Sequence, residues 1–198
     1  MNELSHILKN NLDKIGQLPP EQQKEILALV EEYEKVKQRE EARDEFLPFV
    51  KLMWPSFIHG KHHEVMAQAF ERVARGDLKR LIINMPPRHT KSEFASYLFP
   101  AWFLGRYPEK KVIQTAHTAE LSVGFGRKVR NLIQNQDFQD VFPGIELSTD
   151  SKAAGRWNTN KRGDYFAIGV GGAVTGKGAD ILIIDDPHSE QEATMGEY

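Results

Sequence analysis

Apolar and polar residues follow two different rhythms along this chain, and the rhythm changes near residue 46. In residues 1–45, Ile26, Leu27, Val30, Tyr33 and Val36 recur at helical spacing among Glu, Lys and Arg, which predicts a long amphipathic helix. Pro20 suits the first turn of such a helix and Glu21 its positive end; Gly16 is the only glycine of this region. The expectation is a charged helical region packed on the rest of the chain, with a partner-docking helix as the alternative. From Phe46 onward, apolar runs predict strands at 81–85 (LIINM), 111–116 (KVIQTA), 165–170 (YFAIGV) and 179–186 (ADILIIDD). The first, second and fourth runs are nearly continuous, the pattern of strands covered on both faces. Helical patterns lie between them at 61–75, 91–106 and 118–135, with Pro100 expected to kink or end the second. Strands alternating with helices predict an α/β domain over 46–198 with a mainly parallel sheet. The glycine-rich stretch from Gly155 to Gly178 predicts a hairpin followed by a site loop, and Trp54, Phe57, Phe94, Phe99 and Trp102 predict core.

Composition adds boundaries. The 198 residues carry a net charge of -2 and no cysteine, which excludes disulfides and thiolate chemistry and fits a reducing compartment. No apolar run reaches the roughly 18–20 residues a membrane span needs, and the opening MNELSHILKNN lacks the apolar core of a signal peptide.

The chemistry concentrates in two places. The first is LIINMPPRHTKSEF, a predicted strand running through a short loop into a predicted helix. That order suits a phosphate-binding loop, where backbone N–H groups face phosphate oxygens, a lysine reaches the β- and γ-phosphates, and a hydroxyl takes Mg²⁺. Lys91 and Ser92 match that pattern, but Met85 and Thr90 stand where glycines belong. Pro86 and Pro87 have no N–H, so the cradle falls to Arg88, His89, Thr90, Lys91 and Ser92. An ordinary strand–turn–helix connection with a surface lysine fits the same letters. The second place is ILIIDDPH, where Asp185 and Asp186 follow four apolar residues and sit at the end of a strand at which open α/β sheets hold ligands. An Asp-Pro turn closing a strand is the plain reading. The two motifs together point to a P-loop NTPase.

With both motifs placed, the chain resembles the ATPase domain of the large terminase subunit, the motor that packs DNA into tailed-phage and herpesvirus-type capsids. The resemblance runs from about Phe46 to the end and rests on MPPRHTKSE, FPAWFLGRYPEKKVIQTAHTAELSVGFGRKVRNLI, DSKAAGRW, GVGGAVTGKGAD and ILIIDDPH. It implies a RecA-like P-loop fold of the ASCE class, with a parallel sheet flanked by helices, an N-terminal helical appendage and an incomplete sheet. It implies ATP and Mg²⁺ as cofactors, with Lys91 and Ser92 as the phosphate and metal groups and Asp185 as the metal-side acid. Asp186 takes the place of the catalytic carboxylate, Arg88 that of the loop arginine, and Lys177 is a candidate cation for a neighbouring subunit. His62 and His63, in WPSFIHGKHHEVM, are candidate adenine or ribose contacts. The usual family form has glycine before the lysine; if that position needs positive φ, Thr90 is costly there.

The implied function is ATP hydrolysis driving double-stranded DNA into a procapsid. The implied partners are DNA, a small terminase subunit, a portal ring and sister subunits in a homo-oligomeric ring, in the host cytoplasm and not in a membrane. The family's coupling motif and nuclease domain have no counterpart before Tyr198, so no nuclease activity is expected. Two alternatives stand beside this: a catalytically idle binding or assembly module, and another nucleic-acid-dependent motor such as a helicase-like ATPase. His59, His62 and His63 lack the Cys or Asp partners that a zinc site needs nearby. Arg127, Lys128 and Arg130 are read either as phosphate contacts or as a solvated face, and His117 and Thr118 lie where related motors meet DNA or sense nucleotide.

Overall fold

The computed structural model describes residues 15–150 and 153–189; the flanks of the two expected regions, 1–14 and 190–198, and positions 151–152 lie outside the described residues. Two compact units divide the chain, Met1–Glu41 and Ala42–Tyr198. The helix α1, Pro20–Asp44, forms where the helical spacing of apolar residues predicts it, with Glu21 in its first turn and Arg43 in its last. Its apolar residues Leu27, Leu29, Tyr33 and Val36 are exposed.

The second unit is an α/β fold. Helices α2 (Phe46–Met53) and α3 (Lys61–Arg75) precede the loop of interest. α3 begins after Gly60 in extended conformation and ends on Gly76 in the left-handed conformation (φ 82). A π-helical segment, Glu93–Leu98, then runs directly into α4, Phe99–Arg106. Strand β1 (Lys111–Ala116), helices α5 (Ala119–Ile133) and α6 (Gln136–Val141), and strands β2 (Arg156–Asn158), β3 (Asp164–Gly169) and β4 (Ile181–Asp185) complete it.

The four-stranded sheet has the order β2-β3-β1-β4. β1 pairs in parallel with both β3 and β4, and β2 turns back antiparallel on β3 as the expected hairpin. Register puts Val112, Tyr165 and Ile181 in one row, and Gln114, Ala167 and Ile183 in the next; every one of these residues is buried. The adjoining rows lie on the opposite face, where Leu182 and Ile184 are 60% and 59% exposed. The fourth apolar run is therefore covered on one face, not on two: β4 alternates buried and exposed residues despite its unbroken apolar letters.

Residues 81–85 correct a second expectation. They form no strand, and Ile82 is 84% exposed. A strand needs a ladder partner as well as an extended apolar sequence. Here Leu81–Asn84 and Ile181–Asp185, unpaired with each other, line a groove of about 800 Å³ together with Phe70 and Phe99.

The core gathers around Phe46 of α2. Its ring meets Phe49, Phe70, Phe94, Phe99 and Trp102 at centroid distances of 5.5–6.5 Å, mostly edge-on. Phe94, Phe99 and Trp102 are buried as expected, while Trp54 and Phe57 pack half-buried at the margin. Pro100 neither ends nor breaks its helix. The turn before it widens instead, so that the Phe99 N–H reaches the Phe94 carbonyl five residues back. A π-turn absorbs a residue that has no N–H to offer.

Two glycines of α5 make opposite predictions. A Cβ on Gly126 would lie 2.7 Å from the Ala154 backbone carbonyl and 3.0 Å from the ring of Tyr165 in β3, whereas Gly124 has open space. Gly124→Ala is expected to raise the urea-unfolding free energy by about 0.5–1 kcal/mol through helix propensity. Gly126→Ala is expected to lower it by about 1–3 kcal/mol, because overpacking against backbone outweighs the same propensity gain. Equal shifts of one sign would refute the packing of α5 on β3.

Candidate functional site

The loop after residue 85 is built from backbone that glycine normally supplies. Arg88 (φ 62) and Thr90 (φ 63) are both left-handed, and the intervening His89 is not. The helix begins at Lys91, and the Phe94 N–H bonds the Thr90 carbonyl at 3.0 Å. Alternating hands of this kind turn successive N–H groups toward one concave side, the arrangement that accepts anions. His89 Nδ1 lies 2.9 Å from the Pro87 carbonyl, which only accepts, so this nitrogen carries the proton. Arg88 is exposed at the crown of the loop.

The end of β4 meets this loop. Lys91 Nζ pairs with Asp186 Oδ1 at 2.5 Å. Ser92 Oγ donates to Asp185 Oδ1 at 3.1 Å, and Ser96 Oγ donates to Asp185 Oδ2 at 2.8 Å. Asp185 is only 7% exposed, so both of its oxygens need donors, and one helix supplies them. Asp186 turns away with φ 41, a conformation aspartate tolerates better than most residues. Its carbonyl accepts the His117 N–H at 3.1 Å, which ties the end of β4 to the segment leaving β1. A cation, two carboxylates, a hydroxyl and a row of N–H groups thus share one mouth at the C-terminal ends of parallel strands. The groove along β4 opens into it at Lys91 and Asp186.

Ser96 was not expected from the sequence. Its signal was weak: a serine four residues after Ser92 within an otherwise apolar helix, hence on the same face.

The histidines divide. His62 is exposed, whereas His63 is 3% exposed and lies under the loop. Its Nδ1 accepts the Gly60 N–H at 2.9 Å, and its Nε2 sits 2.8 Å from Thr90 Oγ1. The other residues singled out have the following contacts. Lys177 places its ammonium 4.0 Å above the Phe166 ring. Lys128 bonds Glu93 at 2.7 Å, and Thr118 caps α5 through the Leu121 N–H. Arg127 is exposed and Arg130 half-buried, so the basic group does not form one open face. Among the described residues no group of three or more His, Asp or Glu is arranged to hold a metal ion. No helix among them is long and apolar enough to cross a membrane.

Comparison with known proteins gives one informative likeness. The chain is 25% identical over 158 residues to the large terminase subunit of Enterobacteria phage T3, a match that takes in 78% of this chain and 27% of that protein. The chain thus spans about a quarter of the relative's length. No family model matches, and no solved structure matches. The likeness supports a terminase-like relationship.

The buried ring of His63 also sets an acid limit. Burial, followed by the neighbouring His62 and His59, lowers its pKa from 6.5 to about 4. Between those two values the unfolded chain binds a proton that the folded chain does not, so stability rises with pH across this window. The contribution is complete above about 6.5 and lost as pH falls toward 4. Urea midpoints measured from pH 7.5 to pH 4.5 are expected to fall more steeply for the wild type than for His63→Gln. Parallel curves would place the titration elsewhere.

Proposed function

We propose that this chain is the nucleotide-hydrolysing part of a DNA-packaging motor: a phosphate loop at Arg88–Ser92 working against the acids Asp185 and Asp186. One observation carries the reading. Lys91 and Ser92, adjacent in the loop, each meet one of two adjacent carboxylates at the end of β4, 93 to 95 residues away. An ordinary strand–turn–helix connection has no reason to pair residue for residue with an acidic strand end. The likeness to a phage terminase large subunit supports the DNA-packaging context.

Chemistry follows from the donor set. Ser92 and Asp185 offer hard oxygen ligands that fit Mg²⁺, which when bound neutralises charge on the β- and γ-phosphates. The backbone N–H groups of Arg88 to Ser92 receive the phosphate oxygens, the proline pair having none to give. Lys91 leaves Asp186 for the triphosphate, and that exchange frees the Asp186 carboxylate to orient a water in line with the γ-phosphorus. The water oxygen bonds phosphorus as the bond to the ADP oxygen breaks, and the water's proton leaves through Asp186. Arg88, exposed at the crown, meets the charge spread over the transferred group. His62 remains the outward candidate for a base or ribose contact. Lys177 serves a neighbouring subunit only if assembly lifts it from Phe166. Double-stranded DNA, a small subunit, a portal and sister subunits in a ring belong to this reading as partners. The idle-module reading draws on the same Lys91–Asp186 pair, which closes the site at rest; turnover separates the two.

The purified chain is expected to bind Mg²⁺ and ATP with micromolar affinity by calorimetry. Lys91→Ala should weaken that binding by roughly 10- to 100-fold, the worth of a charged hydrogen bond to phosphate. Asp186→Asn should retain binding and lose turnover by roughly 100-fold or more, the usual cost of removing a general base. Binding without turnover in the wild type would favour the idle module; no binding at all would sink the phosphate-loop reading. Acceleration by duplex DNA without strand separation separates a packaging motor from a helicase.

A further inference from the structure

Thr90 poses a physical problem that this structure answers. A β-branched residue at φ 63 is a backbone outlier, and glycine would sit there without strain. Such a residue persists only where its surroundings over-determine it. Its hydroxyl is held from two sides: Oγ1 donates to the His89 carbonyl at 2.6 Å and lies 2.8 Å from His63 Nε2. Because His63 Nδ1 accepts the Gly60 N–H, the neutral ring keeps its proton on Nε2 and donates it to Thr90. The hydrogen bonds then run in one direction, from Gly60 N–H through His63 and Thr90 to the His89 carbonyl. The ring cannot turn away. Phe57 lies against it edge-on at 4.6 Å, Phe94 stacks on it at 5.0 Å and His62 lies at 3.8 Å.

We propose that His63 is a positioning residue for the phosphate loop: it pins the Thr90 hydroxyl and so holds the left-handed backbone that aims the N–H groups of Thr90, Lys91 and Ser92. The inference rests on the phosphate-loop reading for its functional consequence, but the hydrogen-bond relay can be tested apart from it. Its consequence is a coupling. Threonine at position 90 needs an anchor for its hydroxyl, and glycine needs none, so His63 matters to the loop only while Thr90 is present.

The two ring nitrogens can be replaced separately. His63→Asn keeps an acceptor for Gly60 at the δ position and loses the reach to Thr90. His63→Gln keeps the reach at the ε position. The first measurement uses NMR on the full chain without nucleotide. Ring ¹⁵N shifts should report the neutral Nε2–H tautomer of His63 at pH 7.5. The backbone ¹³C shifts of Thr90 should keep their left-handed signature in His63→Gln and lose it in His63→Asn. Thr90→Val, which keeps the branch and drops the hydroxyl, should lose it in the same way at residue 90, so the inference does not depend on one variant folding.

The second measurement is a double-mutant cycle on Mg²⁺ and ATP binding by calorimetry. His63→Asn should weaken binding on the order of tenfold in the Thr90 chain, matching the strain of one left-handed branched residue. In the Thr90→Gly chain the same substitution should change binding by less than about twofold, since the anchored group is gone. Equal losses in both backgrounds would overturn the inference, because His63 would then act on the nucleotide or on general stability. So would a Thr90 that stays left-handed without its partner. A wild type that binds no nucleotide would refute the phosphate-loop reading, while the NMR result would still decide whether His63 positions Thr90.

Discussion

A buried carboxylate organises this site. Asp185 ends the edge strand of the sheet at 7% exposure, where an unsatisfied charge costs several kcal/mol. Ser92 and Ser96 satisfy it from one face of one helix. That demand fixes the height and rotation of the helix relative to β4, and the loop before the helix has to follow. Lys91, one residue before Ser92, then falls beside Asp186, one residue after Asp185. The pairing of loop and acids is thus two consequences of one constraint. It explains why two such distant segments meet in step.

The aromatic cluster holds the other end of the same helix. Phe94 and Phe99 lie on the π-segment and at the start of α4, and both contact Phe46. Between them stands Ser96, whose hydroxyl donates to Asp185, and directly after Phe99 comes Pro100, which cannot donate a helical hydrogen bond. A regular α-helix turns about 100° per residue, whereas a π-turn advances less per residue and so shifts the faces beyond it. The wide turn at Glu93–Leu98 places two aromatic rings on Phe46, a serine on the carboxylate and a proline where no donor is needed. Phe94 serves twice, since it also packs against His63 and Phe57.

Much of this was legible in the sequence, for physical reasons that differ by element. α3 stood out at 61–75 because its apolar residues repeat at helical spacing; the glycines that bound it, Gly60 and Gly76, are seen in the structure. β1, β3 and β4 stood out as short apolar runs bounded by turns, and the meeting of Lys91–Ser92 with Asp185–Asp186 followed from strand-end chemistry. The run at 81–85 misled because an apolar segment reports extended preference, and a ladder depends on a partner that no local pattern encodes. The coverage of β4 misled for the same reason: Leu182 and Ile184 read as core whatever faces them. Ser96 was hidden because one serine in an apolar helix is usually unremarkable. His62 and His63 were read together as adenine or ribose contacts, yet one is exposed and the other buried; adjacent letters on a helix point about 100° apart.

The Lys91–Asp186 pair raises a question of magnitude that the proposed chemistry must meet. If the pair were strong, it would oppose nucleotide binding. Asp186 is 70% exposed on its side chain and Lys91 24%, so solvent screens much of the attraction. Pairs of that kind contribute about 0–1 kcal/mol. A lysine hydrogen bond to a charged phosphate group contributes about 1.5–3 kcal/mol. On the proposed chemistry the exchange would therefore run toward the triphosphate, at little cost in affinity from the resting pair. What the pair does supply is position. It keeps the ammonium at the mouth rather than in bulk water, and it keeps the carboxylate within reach of the place where an attacking water has to stand.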